Sequence, residues 1–589
     1  MEDVKLIFDL HHYQLKHYPK SDAFTAKING TWKPISIQEA IRMANALSLA
    51  LLADNINKGD KIAMIANNRP EWHITDLAIT QIGAVNVPIY PTITEEDYAY
   101  IMNDAGVKMV FVSDKDLLNK VLSIKDKVPT LKEVFTFDNI DGATHWSDFY
   151  NPYLDKDTTS IENIKADITE EDLATLIYTS GTTGNPKGVM LSHKNIVSNV
   201  IGCIDRLPCD EHSKSLSFLP LCHVYERTVC YLYIYRGVSI YYAENMDTIG
   251  DNLKEVQPQV FTAVPRLLEK VYDKIVAKGN ELSGIKKALF FWALNLGLKY
   301  DPEKNLGGWY NWQLKMANKI IFNKWREALG NNTLAIASGS AALQPRLARV
   351  FLAAQIPVME GYGLTETSPV VAVNSQKTGV RIGTVGKPLF NVQVKIADDG
   401  EILVKGPNVM MGYYNLPEKT KEVIDEDGWL HTGDIGELSA DGFLKITDRK
   451  KEIFKTSGGK YIAPQLMENK FKESRFIEQI MIVGENEKMP AAIIQPDFAF
   501  LKEWCLRKKI NCTTNEEMVK NPKVIERFQK EIDQLNEHFA KYEKVKKFEL
   551  CPEPWTIDGG ELTPTLKLKR KNIINKYKDL YEKIYGHTI

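Results

Sequence analysis

Two hydrophobic periods alternate along the chain. Ser36-Ile37-Gln38-Glu39 has the form of a capping box, with Ile35 ahead of it as a staple, and predicts an amphipathic helix to about Ala53. Short apolar runs follow at residues 61–66, 84–90 and 107–112, separated by helix-like stretches such as 95–104. This βαβ rhythm points to mostly parallel sheet with helices on its faces. It returns at residues 215–221, 238–243, 260–264 and 333–337, which fits an α/β architecture of two doubly wound subdomains.

Near residue 390 the texture changes. Val392-Gln393-Val394-Lys395-Ile396 alternates, Asp398-Asp399-Gly400 turns, and Glu401-Ile402-Leu403-Val404 returns. This hairpin signal repeats over 433–446. A small β-barrel or antiparallel sheet is expected over about 385–447, completing an N-terminal domain of residues 1–447. After Asp448-Arg449-Lys450-Lys451 the chain turns basic and helical, so a small α+β C-terminal domain is expected over 448–589. Within it Ile573, Ile574, Tyr577, Leu580, Tyr581 and Ile584 mark the apolar stripe of one helix over 571–585. A helical insert at about 275–330 carries Phe290, Phe291, Trp292, Trp309, Tyr310, Trp312, Phe322 and Trp325. Lys286, Lys287, Lys299, Lys315, Lys319 and Lys324 interleave with them. Such a segment either caps a core or presents an amphipathic surface to a bilayer or an apolar ligand.

At 589 residues the chain is too long for one hydrophobic core. Its 44% apolar and 25% charged residues exclude a disordered, collagen-like or small disulfide-stapled protein. Lys+Arg 74 against Asp+Glu 76 gives a net charge of -2. That balance supplies no whole-chain attraction to nucleic acid, and none is expected as a partner. No run approaches the roughly 18 apolar residues that span a bilayer, and the N-terminus lacks a signal-peptide layout. Seven cysteines without a C-x-x-C pair fit free thiols in a reducing cytoplasm. Cys222 beside His223 reads as a packed thiol rather than a metal ligand.

The densest chemistry lies in Tyr178-Thr179-Ser180-Gly181-Thr182-Thr183-Gly184-Asn185-Pro186-Lys187-Gly188, a loop after the apolar run 173–177. Glycines let backbone N–H groups approach a polyphosphate, hydroxyls donate hydrogen bonds, and Lys187 supplies charge. The order differs from the usual ATPase loop, because Lys187 stands between Pro186 and Gly188.

This loop resembles the signature of the adenylate-forming enzymes, which include acyl-CoA synthetases and the adenylation domains of peptide synthetases. Further motifs of that family follow in order: Gly361-Tyr362-Gly363-Leu364-Thr365-Glu366, Trp429-Leu430-His431-Thr432-Gly433-Asp434, Asp448-Arg449-Lys450-Lys451, and Thr563-Pro564-Thr565-Leu566-Lys567-Leu568-Lys569-Arg570. The resemblance implies ATP and Mg as cofactors and a carboxylic acid as substrate, with attack on the α-phosphorus followed by transfer to a thiol. It implies that Glu366 is the magnesium-linked glutamate, with Thr179 as hydroxyl partner at the metal or phosphate. Tyr362 would stack on adenine beside Gly339-Ser340-Ala341. Asp434 would hold the ribose, and Arg449 would be a second ribose or phosphate contact. Lys567 would be the adenylation lysine, with Lys569 as its rival, since family members often carry glycine where this chain has Leu566. The resemblance also implies a mobile C-terminal domain hinged at Lys451. Gly458 and Gly459 would then pass the pantetheine arm of CoA.

Leu219-Pro220-Leu221-Cys222-His223-Val224-Tyr225-Glu226-Arg227 and Val264-Pro265-Arg266 resemble segments of the long-chain fatty acyl-CoA synthetases within that family. His223 would then position the reacting carboxylate. The implied activity is ATP-dependent ligation of a long-chain fatty acid to CoA. The alternatives are delivery to a carrier-protein thiol, or a silent acyl or nucleotide binder. Peripheral contact with a membrane surface is compatible with such a substrate.

Overall fold

The computed structural model describes residues 4–179, 185–563 and 566–587. Ser36 caps the helix Ile37–Ala53 by accepting from Glu39 N–H at 3.1 Å. The second half of the expected box is absent, because the Glu39 carboxylate pairs with Arg42 instead.

The βαβ rhythm builds two large sheets. One has eight strands, ordered Gly412–Tyr413, Lys187–Ser192, Leu173–Thr179, Val85–Pro88, Lys61–Ile65, Val107–Val112, Glu133–Thr136 and Thr144–His145. The other has nine and runs from Lys387–Pro388 through Val370–Val373, Val358–Gly363, Ala335–Ser338 and Val260–Ala263 to Lys214–Ser217, Ser239–Tyr242, Phe24–Ile28 and Thr31–Ile35. The central pairings in each are parallel. Parallel sheets covered by helices bury both faces, and their strands are accordingly buried, mostly with apolar residues but with Asn86, Thr175, Ser217 and Thr262 among them.

A buried ion pair joins the two halves. Helix α1 (Val224–Tyr235) carries Arg227, which donates to Asp76 on the helix Pro70–Thr80 at 2.5 Å. The same guanidinium donates to Thr175 on the eight-stranded sheet and to Tyr231, both at 2.8 Å. Both charged side chains are fully buried. One residue earlier, Glu226 accepts from Ser217 at 2.6 Å and from Thr262, which fixes α1 to the nine-stranded sheet.

The region expected as a small barrel is an antiparallel sheet ordered Gln393–Ile396, Glu401–Lys405, Leu430–Leu438, Leu444–Arg449. Its described strands pair in a row rather than a ring. The C-terminal domain has a three-stranded sheet, Ile477–Val483, Ala491–Pro496 and Phe548–Leu550, with helices around it. The single helix expected over 571–585 is two, Arg570–Lys576 and Lys578–Tyr585, broken at Tyr577. The Tyr577 hydroxyl donates to Glu553 and Glu561, and its ring stacks on Trp555, so tertiary contacts hold the kink.

The aromatic insert is helical, with α2 (Gly284–Lys299) and α3 (Gly308–Ala317) at its centre. Phe290, Phe322 and Trp325 are buried, whereas Trp309 and Trp312 are not. The buried face caps the core, as one of the two expectations had it, and the other face is exposed.

Candidate active site

A cleft of about 2300 Å³ lies where the two large sheets, the four-stranded sheet and the C-terminal domain meet. Strand ends of doubly wound sheets are where such crevices form. Its walls include Thr179, Lys187, His223, Gly339, Ser340, Ala341, Gly361, Tyr362, Gly363, Thr365, Glu366, Asp434, Arg449 and Lys567. Ser180, Gly181, Thr182, Thr183 and Gly184 lie outside the described residues. Gly458 and Gly459 are not brought to the cleft. They sit on an exposed hairpin between Phe454–Lys455 and Tyr461–Ile462.

The strand Val358–Gly363 delivers one row of the cleft wall. It leaves its parallel partner Ala335–Ser338 and pairs antiparallel with Val370–Val373, with a register shift at Tyr362/Gly363. Gly363 is glycine for packing, since a Cβ there would lie 1.8 Å from Pro369 O. Gly339 likewise faces the Tyr225 ring, 3.2 Å from where a Cβ would be. The Tyr362 hydroxyl donates to Asp434 Oδ2 at 2.6 Å, and Arg449 Nε is 3.5 Å from Asp434 Oδ1. Cross-strand register sets that pair, because Asp434 and Arg449 stand opposite each other. Burial pushes the Asp434 carboxyl up, while Arg449 and the Tyr362 hydrogen bond hold it down.

Glu360 opens the same row, although the sequence reading did not single it out. Its Oε1 accepts from Leu343 N–H at 2.9 Å and so fastens the Ser340–Leu343 turn beside Tyr362. Burial pushes its carboxyl up to about 8.

At the end of the cleft near Thr179 and Lys187, strand pairing assembles the polar groups. Thr179 stands opposite Lys187, and Tyr413 opposite Val189. Lys187 Nζ lies 4.8 Å over the Tyr413 ring, and the Tyr413 hydroxyl donates to Glu366 Oε1 at 2.9 Å. Tyr413 was missed in the sequence, where its only signal is an aromatic pair after Gly412. Among the described residues no hydrogen bond reaches the second oxygen of Glu366. Among the described residues no group of three or more His, Cys, Asp or Glu can hold a metal. That donor set fits Mg²⁺, which takes one or two carboxylates and fills its remaining positions with phosphate oxygens and water.

His223 caps α1, with Nδ1 accepting from Tyr225 N–H at 3.1 Å. Burial, with the Lys567 charge adding to it, lowers its pKa to about 4. At neutral pH the ring is therefore uncharged. With Nδ1 an acceptor, the proton resides on Nε2, which makes a donor for an oxyanion.

Lys567 sits on a tight turn closed by a bridge between Leu562 and Leu568. Its backbone N–H donates to Thr563 Oγ1 at 3.0 Å. Water reaches the side chain through the cleft, yet surrounding protein desolvates it. Desolvation, then Arg449, lowers its pKa to about 8, with Asp434, Glu366 and Glu452 opposing. Leu566, which stands where the resemblance leads one to expect glycine, has φ 60, the conformation glycine adopts freely. Lys569 also borders the cleft, but it caps the helix Arg570–Lys576, and its N–H donates to Glu561 O at 2.8 Å. The lysine charge felt at Asp434 and His223 is that of Lys567.

A family model described as AMP-binding enzyme matches residues 12–414, and one described as AMP-binding enzyme C-terminal domain matches 451–588. A long-chain-fatty-acid–CoA ligase of Mycobacterium bovis is 34% identical over 565 residues, 95% of this chain and 93% of that one. Long-chain-fatty-acid–CoA ligase 5 of Rattus norvegicus is 34% identical over 601 residues, 95% of this chain and 86% of that one. The adenylation domain of a carboxylate reductase from Mycobacterium chelonae shares the fold, with a TM-score of 0.76 and 21% identity, covering 100% of this chain and 92% of that one. So does an anthranilate CoA ligase in complex with anthranoyl-AMP, with a TM-score of 0.70, 18% identity and 97% of each chain covered.

Proposed function

The chain belongs to the AMP-binding enzyme family, and from that premise we propose that it is an ATP-dependent long-chain fatty acid–CoA ligase. The fatty-acid carboxylate attacks the α-phosphorus, the bond to the bridging oxygen breaks, and pyrophosphate leaves an acyl-adenylate. The CoA thiol then attacks the acyl carbon, loses its proton, and releases AMP and acyl-CoA.

The observation that carries the choice of acid is the wall beside His223. Tyr225, Val229 and Leu232, on one face of α1, border the cleft together with Cys203, Leu207 and Val373, and Arg206 beside them is occupied by Thr378 and Pro388 O. An apolar branch that begins at a neutral imidazole suits an alkyl carboxylate: the chain is taken from water and the head group meets a hydrogen-bond donor. The relatives with long-chain names support the same choice.

Each remaining role follows from the chemistry of its position. Tyr362, with the Gly339-Ser340-Ala341 turn, receives adenine, and Asp434 and Arg449 receive the ribose. Thr179 and Lys187 meet the phosphates. Glu366 and Thr179 would hold Mg²⁺, which supplies charge neutralisation on phosphate oxygens. Lys567 stabilises the charge that develops between carboxylate and α-phosphate, an effect worth about 10²–10³ in rate. The domain boundary lies at 447/448, and rotation about Lys451 would carry Gly458 and Gly459 to the cleft for the thiol step. The enzyme works in the cytoplasm with peripheral contact at a membrane, where its substrate partitions. No helix of the described residues is long and apolar enough to cross a membrane.

The test is incubation with ATP, Mg²⁺ and CoA against fatty acids of increasing length, following AMP and acyl-CoA by mass spectrometry. The two products should rise together, best with long chains. Acyl-adenylate without acyl-CoA would remove CoA as the acceptor and point to a carrier-protein thiol.

A further inference from the structure

The helical insert presents an apolar face that no other described residue covers. Trp292 Nε1 donates to Gln313 Oε1 at 3.0 Å, and the Tyr310 hydroxyl donates to Leu296 O at 2.8 Å. These two contacts step in opposite directions along the helices, so α2 and α3 run antiparallel, and α3 turns Tyr310 and Gln313 toward α2. The adjoining flank, about 100° round the helix, carries Trp309 and Trp312, which are 70% and 53% exposed and stack at 4.9 Å with an interplanar angle of 11°. Ile320 continues this side at 45% exposure. Ile285, 79% exposed, lies at the matching end of α2. Large apolar side chains exposed in one row mark an interaction surface rather than scattered surface residues.

The charge around this row identifies the partner. Residues 282–326 contain seven lysines and one arginine against one aspartate and one glutamate, in a chain whose net charge is -2. Lys286, Lys315, Lys319 and Lys324 are exposed. Tryptophans flanked by lysines are the chemistry of a lipid–water boundary: the indoles enter the headgroup region and the ammonium groups meet phosphates. In addition, α2 contributes Leu298 to the cleft wall, so the same helix borders both this face and the cleft.

We propose that the α2–α3 face docks on a bilayer containing anionic lipid, with Trp309, Trp312 and Ile320 in the headgroup–acyl boundary and Lys315 and Lys319 on lipid phosphates. This names the surface behind the membrane contact proposed above and rests on that reading for its purpose. Docking itself requires no catalysis, so the two fail separately.

The experiment is co-sedimentation of the full chain, without substrates, with vesicles of phosphatidylcholine alone and of phosphatidylcholine mixed with phosphatidylglycerol. Binding should be strong on the mixed vesicles, weaker on the neutral ones, and reduced by salt. Trp309→Ser with Trp312→Ser should lower partitioning at least about tenfold on both. Lys315→Gln and Lys319→Gln together should lower it about thirtyfold on mixed vesicles alone. Acyl-CoA formation from detergent-dispersed acid should be unchanged in both variants, which also verifies folding. Wild-type protein that stays in the supernatant would overturn the proposal and leave the ligase reading standing. So would a concentration-dependent doubling of mass abolished by the tryptophan replacements, since the face would then belong to a second copy. Vesicle binding without acyl-CoA formation would spare the docking surface and sink the ligase.

Discussion

Asp434 is held by a cross-strand arginine, by the Tyr362 hydroxyl at 2.6 Å and by nearly complete burial. Lys567, in the same cleft, is held by a turn whose anchors are backbone groups and Thr563. No carboxylate of the described residues lies within ion-pair distance of its ammonium. The group assigned to the nucleotide is thus built into a sheet, and the group assigned to the moving charge is carried on a hairpin of another domain. A nucleotide site gains from rigidity because geometry is set before the substrate arrives. A cation needed in one half-reaction gains from a support that can withdraw once the adenylate has formed.

The rigid side can be broken most severely at its buried ion pair. Asp76→Asn or Arg227→Met should each destabilise the fold by roughly 3–5 kcal/mol, because either leaves an uncompensated buried charge or a stranded hydrogen-bonding group. Denaturant unfolding measures this, and a loss below about 1 kcal/mol would mean that other contacts join the two halves. The side carried by the C-terminal domain is best probed by pH. In the role proposed for it Lys567 acts as a cation, and its pKa is lowered to about 8. Adenylation measured as kcat/KM should be intact below that value and fall as pH rises through it. His223, neutral down to about 4, should contribute no limb near the ordinary histidine value of about 6.5. A limb there that disappears in His223→Gln would contradict the neutral-donor role.

The turn itself gives a smaller effect. Leu566→Gly should keep adenylation within about twofold, since glycine accepts φ 60 without strain. Leu566→Ile should lower it about tenfold, because β-branching makes the left-handed conformation costly by about 1–2 kcal/mol. Smallest is the interdomain contact. Arg266 on the helix Pro265–Glu281 pairs with Glu478 of the C-terminal sheet. Glu478→Gln should slow ATP–pyrophosphate exchange only a few-fold, as partly exposed pairs do. It should leave thioester formation from supplied acyl-adenylate unchanged or faster.

The parts of the molecule that repeat locally were legible in the sequence. The apolar runs at 61–66 and 107–112 became Lys61–Ile65 and Val107–Val112, and the hairpin at 392–404 became Gln393–Ile396 with Glu401–Lys405. Each is set by period and turn chemistry within a dozen residues. What depends on distant pairing was not legible. Tyr413 reaches Glu366 only because Gly412–Tyr413 adds to the edge of the eight-stranded sheet. Arg227 is explained only by Asp76, 151 residues away. The stripe over 571–585 named buried residues apart from Ile574, which is half-buried, but missed the kink at Tyr577, which partners outside the helix impose.

The most direct test of the division between fixed site and carried cation is to measure both half-reactions in Lys567→Ala and Lys569→Ala. ATP–pyrophosphate exchange should fall about 10²–10³ in Lys567→Ala, while thioester formation from supplied acyl-adenylate and CoA stays within about twofold. Lys569→Ala should leave both near wild type. If Lys569→Ala instead loses exchange and Lys567→Ala does not, the cation is carried two residues further on, and the reading of this hairpin is wrong.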